Sequence, residues 1–86
     1  MHYQLAVSKE ARLALEKLKK KDPTLFGRVE KLIEKILESP ELGKPLRHSL
    51  KNNRRIRVGS FVLMYEISGN SVRLADFDHH DKIYKK

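Results

Sequence analysis

Between Pro23 and Glu38 the apolar side chains fall at Leu25, Val29, Leu32, Ile33, Ile36 and Leu37. That recurrence every three to four residues is the mark of a helix with one buried face, and it is the clearest period in the chain. Asp22-Pro23 opens the segment with a cap and a proline at the first helical position, where a missing N–H costs nothing; Ser39-Pro40 stops it. A helix is also expected upstream, from Ser8 as N-cap to about Lys21. Ala11, Ala14, Leu15 and Leu18 form its buried stripe, and Glu10 sits in its first turn, where the helix dipole favours negative charge. Lys19, Lys20 and Lys21 close it as a solvated helix end. With so short a connection the two helices should form an antiparallel hairpin.

On either side the period changes to two. Tyr3 to Val7 reads as a short first strand. Arg54–Val58 and Phe61–Ile67 flank Gly59-Ser60 and read as two strands joined by a tight turn. After Ser68-Gly69-Asn70 a last strand is expected from Ser71 to about Phe77. Phe61, Leu63, Tyr65 and Ile67 share the face toward the helices, with Ile56 and Val58. Val62 and Met64 fall on the other face with Arg55 and Arg57. From Glu41 to Asn53 the pattern is irregular, a loop pinned by Leu46 and Leu50. The order β-α-α-β-β-β predicts an α+β fold in one domain, residues 1–86. A helical hairpin packs on one face of a mainly antiparallel four-stranded sheet, and the other face is left open. Val62 is expected to be exposed there and to tolerate an arginine.

Charge makes that open face interesting. The formal net charge is +8 with a pI near 9.9, a balance that suits polyanionic partners. Residues 1–43 are close to balanced, whereas 44–65 carry Lys44, Arg47, Lys51, Arg54, Arg55 and Arg57 and no acid. Two guanidiniums on one side of a strand, Arg55 and Arg57, form a rigid anion platform. There is no cysteine, so disulfides and thiolate metal sites are excluded. The start, Met1-His2-Tyr3-Gln4, lacks the pattern of a signal peptide, and no apolar stretch approaches the roughly 20 residues that span a bilayer. A cytoplasmic protein with no membrane partner is expected.

This order of elements comes with Gly43-Lys44-Pro45-Leu46, Arg55-Ile56-Arg57-Val58-Gly59, Tyr65-Glu66-Ile67 and the closing His79-His80-Asp81-Lys82-Ile83-Tyr84. Over almost the whole chain it resembles the RelE/ParE superfamily of toxin–antitoxin toxins. The resemblance implies the RelE-like microbial RNase toxin fold and a small, acidic cognate antitoxin as partner. In the RelE branch it further implies a ribosome-dependent endoribonuclease that cuts mRNA without a metal and so inhibits translation. The ParE branch poisons DNA gyrase through protein contact. A third reading is a weakened toxin-fold protein that mainly binds its antitoxin. The basic strand with His80 and Tyr84 favours RNA, with ribosome and mRNA as partners. Arg55 and Arg57 match the strand positions that hold phosphates in RelE-like toxins, and Tyr84 matches their late tyrosine. Val62 stands where the pattern Tyr-Arg-x-x-Tyr has its arginine, and His80 where His-Arg-x-x-x-Tyr has its own.

Cleavage by 2′-OH attack needs a base, charge stabilisation at phosphorus and an acid for the leaving oxygen. Arg55 and Arg57 suit the charge, while His80 and Tyr84, with His79 behind them, are the proton carriers. These four, Arg55, Arg57, His80 and Tyr84, are the expected catalytic residues. Lys44, Arg47, Lys51 and Arg54 are expected to steer or hold nucleic acid. The run Asp76-Phe77-Asp78-His79-His80-Asp81 suggests metal ligands, but neighbours on a strand point to opposite sides and no ligand spacing is present. No metal and no cofactor are expected. His2 and His48 read as isolated surface histidines.

Overall fold

Ser8 joins the first strand, β1 (Gln4–Val7), to the first helix, α1 (Lys9–Lys21), through two bonds of one hydroxyl. Its oxygen accepts from the Ala11 N–H at 3.0 Å, and its hydrogen goes to the Ala75 carbonyl at 2.7 Å. Asp22 performs a double duty at the next junction. Its N–H donates to the Leu18 carbonyl at 2.7 Å and closes α1, while its carboxylate accepts from the Leu25 N–H at 3.1 Å and opens α2 (Pro23–Glu38). One residue thus satisfies one orphan group at each of two helix ends, which lets the hairpin turn without a longer loop.

These bonds belong to a computed structural model, which describes residues 3–46 and 53–84. After α2 comes a 3₁₀ turn (Pro40–Leu42), then β2 (Lys44–Pro45), β3 (Asn53–Val58), β4 (Phe61–Ser68), β5 (Ser71–His79) and the short α3 (His80–Ile83). The sheet runs β1-β5-β4-β3-β2, with β1 parallel to β5 and the other pairs antiparallel. The architecture is the expected one with a fifth strand added. Lys44-Pro45, read from the sequence as loop, pairs with β3 and sets Lys44 opposite Arg55. The last strand also runs on to His79. Leu50 and the isolated His2 and His48 lie outside the described residues; Leu46 is half-buried, and its N–H donates to the Asn53 carbonyl at 3.1 Å.

The β3–β4 register places Arg55 against Met64 and Arg57 against Val62, with Ile56 and Val58 on the helix side. Ala11, Leu18, Val29 and Ile36 of the helices pack there against Val58, Leu63, Tyr65, Val72, Leu74 and Phe77. Between Met64 and Tyr65 the partner on β5 jumps from Asp76 to Leu74, leaving Ala75 as the extra residue of a bulge. It is the Ala75 carbonyl that Ser8 takes up, so the bulge leaves that group satisfied.

Tyr65 is fully buried, and its hydroxyl reaches the segment before β2. It donates to the Pro40 carbonyl at 2.6 Å and accepts from the Gly43 N–H at 2.8 Å. A Cβ at residue 43 would lie 2.7 Å from the Tyr65 oxygen and 2.8 Å from the Arg55 carbonyl, so only glycine fits. Arg54 completes the tether by donating to the carbonyls of Gly43 at 2.7 Å and Glu41 at 3.2 Å.

The second face of the sheet is not open as expected. Val62 is only 2% exposed and Ile83 only 4%, and neither belongs to the main core. The helix α3 packs against β4 and β5, so the end of the chain covers part of this face. An arginine at position 62 would therefore bury a charge, and Val62→Arg is expected to destabilise the fold rather than be tolerated.

Tyr65→Phe strands one buried acceptor and one buried donor, each worth about 1–3 kcal/mol. A loss of about 2–4 kcal/mol in urea unfolding is expected, and Gly43→Ala should also destabilise because the Arg55 carbonyl is fixed in the sheet. Burial raises the pKa of Tyr65, opposed in part by the Gly43 N–H and the Arg54 charge. A raised folded value stabilises fully below the unfolded value of about 10 and loses that contribution as pH rises through the folded one. Alkaline titration by circular dichroism should show this limb in the wild type and not in Tyr65→Phe.

Candidate nucleic-acid interface

Alternation along β3 turns Arg55 and Arg57 to the outer face, and β2 lays Lys44 directly beside Arg55. The far wall comes from α3. The His80 N–H donates to the Ser60 carbonyl at 2.7 Å, which ties the start of α3 to the β3–β4 turn. This brings Tyr84 over the sheet. The Arg55 guanidinium carbon stands 5.7 Å from the centre of the Tyr84 ring, within cation–π range, and His80 meets the same ring edge-on at 5.6 Å.

Lys44, Arg55, Arg57, His80 and Tyr84 line one cleft of about 420 Å³, together with Leu42, Ile56 and Val62. All four residues expected to be catalytic therefore meet; Lys44, Arg55 and Arg57 give the cleft three cationic side chains, and no carboxylate lines it. The Nε of Arg57 donates to the Gly59 carbonyl at 3.1 Å, which orients the guanidinium while using one of its five donors. Tyr84 is 47% exposed, so its ring is open to a ligand. His80 Nδ1 lies 3.4 Å from an Asp81 carboxylate oxygen, which gives the imidazole a neighbour able to orient it.

The other expected residues fall elsewhere. Arg54 shares its register with Tyr65 on the helix side, and its guanidinium is occupied by the carbonyls of Glu41 and Gly43. It holds the cleft's wall rather than lining the cleft. Strict alternation with Ile56 and Val58 is the signal that separates it from Arg55. Arg47 and Lys51 lie outside the described residues. His79 accepts from the Asp81 N–H at 3.3 Å, capping α3, and its ring stands edge-on to Phe61 at 5.6 Å. It lines a second cleft with Phe61, Phe77, Lys17 and Lys21, so the two adjacent histidines serve different surfaces. Leu42 was not singled out in the sequence, and nothing in its spacing marks it as part of a site; Ile56, read there as a helix-facing residue of the strand, also lines the cleft.

Among the described residues no group of three or more His, Asp or Glu could hold a metal ion. Asp78 faces Val62 in the register and His79 faces Phe61, the separation that alternation predicts. No described helix is long and apolar enough to cross a membrane.

The family model for the ParE toxin of type II toxin–antitoxin systems (parDE) matches residues 5–84. The chain is a toxin of the RelE/ParE superfamily. This toxin is 37% identical to a Methanocaldococcus jannaschii protein named as a candidate toxin, RelE4, over 98% of the present chain and 93% of that protein. Among solved structures it is similar to the RelBE2 toxin–antitoxin complex of Mycobacterium tuberculosis, with 28% identity and a TM-score of 0.76, covering 92% of this chain and 99% of that one. The fold is also shared with a mutant of the Escherichia coli toxin RelE in the free state, at 21% identity and a TM-score of 0.81, covering 98% and 90%.

The adjacent arginines of the toxin should respond differently to truncation. Arg54→Ala removes two charge-assisted bonds to backbone carbonyls and should lower stability by about 1.5–3 kcal/mol in chemical unfolding. Arg55→Ala removes one partly exposed cation–π contact and should lower it by less than about 1 kcal/mol.

Proposed function

We propose that this toxin is a metal-independent endoribonuclease that cuts ribosome-bound mRNA and is held in check by a small acidic antitoxin. One observation carries the reading: Arg55, Arg57, His80 and Tyr84, named from the sequence, share a single cation-lined cleft with Lys44. Lys44, Arg55 and Arg57 hold the scissile phosphate, whose charge grows as a 2′-hydroxyl attacks phosphorus. The bond to the 5′-oxygen breaks, leaving a cyclic phosphate and a free 5′-hydroxyl. His80 and Tyr84 carry the two protons, one taken from the 2′-hydroxyl and one given to the leaving oxygen. Arg55 stacked on Tyr84 keeps the phenol close to the phosphate-holding charges. The antitoxin partner accords with the M. tuberculosis structure, itself a toxin–antitoxin complex. Action on the ribosome places the protein in the cytoplasm.

A second reading is gyrase poisoning, favoured by the ParE description of the matching family and by Val62, which leaves the cleft one cation short of the RelE-like pattern. Inducible expression separates the two, since a nuclease arrests translation before any DNA damage and a gyrase poison does the reverse. On programmed ribosomes Arg57→Ala should lower single-turnover cleavage at least tenfold, as expected for losing one preorganised donor. Cleavage should survive chelation of trace zinc and manganese while ribosomal Mg²⁺ is maintained. Undiminished cleavage by Arg57→Ala would remove this cleft from the reaction.

A further inference from the structure

A groove on the other side of Arg57 has no place in the reaction. It lies between α2 and β3 and is lined by Arg28, Lys31, Leu32, Lys35, Arg57 and Val58, with no carboxylate. Arg28, Lys31 and Lys35 follow the helical period and form one stripe along α2. Glu30 of the same helix faces away from it, into the groove that Leu5 and Val7 line. None of the three cations forms an ion pair among the described residues. At 1.5 Å per residue the stripe spans about 10 Å, long enough to meet more than one phosphate of a nucleic-acid strand. Arg57 lines both this groove and the cleft, so the positive surface continues from one into the other.

We infer that Arg28, Lys31 and Lys35 form a phosphate track that receives the RNA backbone as it leaves the cleft past Arg57. This rests on the nuclease reading and extends it from the scissile nucleotide to its flank. The side chains of Leu32 and Val58 offer no hydrogen bonds to base edges, and the track's cations are assigned to backbone phosphates. Its contribution is to affinity for longer RNA, and it leaves the chemistry at the cleft unchanged.

The test is fluorescence anisotropy with 2′-deoxy-blocked, uncleavable RNA of three and of ten nucleotides, from 0.05 to 1 M salt. The proteins are the wild type, Arg28→Gln/Lys31→Gln/Lys35→Gln and Arg55→Ala. Glutamine keeps helix propensity, and circular dichroism verifies folding. Removing three phosphate contacts should reduce the salt slope for the ten-mer by about 2 and weaken its binding about 100-fold at 0.1 M salt, with the curves converging near 1 M. Binding of the three-mer should not change in the triple variant and should weaken in Arg55→Ala. If the triple variant binds the ten-mer like the wild type while Arg55→Ala weakens both RNAs, the track is wrong and the cleft stands. If neither variant changes RNA binding, track and cleft fall together. If the triple variant keeps RNA but loses an acidic antitoxin peptide, the stripe is a protein-binding surface and the track is overturned.

Discussion

The hydroxyl of Tyr65 sits in the core with one donor and one acceptor to satisfy, and both partners come from the stretch between α2 and β2. The Lys44 side of the cleft depends on this pair of bonds. Without them the Arg54 guanidinium alone would tether the Pro40 turn through the Glu41 and Gly43 carbonyls, and β2, only two residues long, has little pairing of its own. With them, Gly43 lies against the Arg55 carbonyl and Lys44 comes alongside Arg55 on the outer face. A buried phenol thereby positions a surface lysine it never touches. The requirement for glycine follows from closeness and not from backbone conformation, since Gly43 has an ordinary extended geometry.

The period of two along β3 then divides labour between neighbours of identical chemistry. Arg54 turns inward, where one terminal nitrogen donates to two carbonyls of the tether; Arg55 and Arg57 turn outward and keep most of their donors for a ligand. The same separation acts at the chain's end, where His79 caps α3 on one side and His80 faces the cleft on the other. In each case one residue stabilises the scaffold and its neighbour presents a functional group. Their substitutions therefore test different things.

Much of this was legible in the sequence. The helical hairpin announced itself through an apolar stripe and through Asp22-Pro23, whose capping chemistry is local. The β3–β4 hairpin did so through alternation about Gly59, where φ is +60° and a glycine is favoured. The cleft's catalytic candidates came from the resemblance and converged in space. What was not legible depended on contacts distant in sequence. Lys44-Pro45 has no strand pattern and becomes one only because Tyr65 and Arg54 pin its approach. Val62 obeyed the alternation but is buried, because a four-residue helix with no period of its own folds back over β4 and β5. Arg54, expected beside the platform, shares the inward register of Ile56 and reaches the carbonyls of Glu41 and Gly43. The stripe of Arg28, Lys31 and Lys35 was present as a period but became meaningful only when Arg57 joined it to the cleft.

On the proposed function, RNA binds to the surface built by Lys44, Arg55, Arg57, His80 and Tyr84. The most direct measurement is an amide NMR titration of the toxin with an uncleavable trinucleotide, in which the attacking 2′-hydroxyl is replaced by hydrogen. The largest shift changes should map to β2, the outer residues of β3 and α3, with little change at Phe61, Phe77 and His79 in the second cleft. Changes centred on that second cleft, or none at saturating RNA, would contradict it.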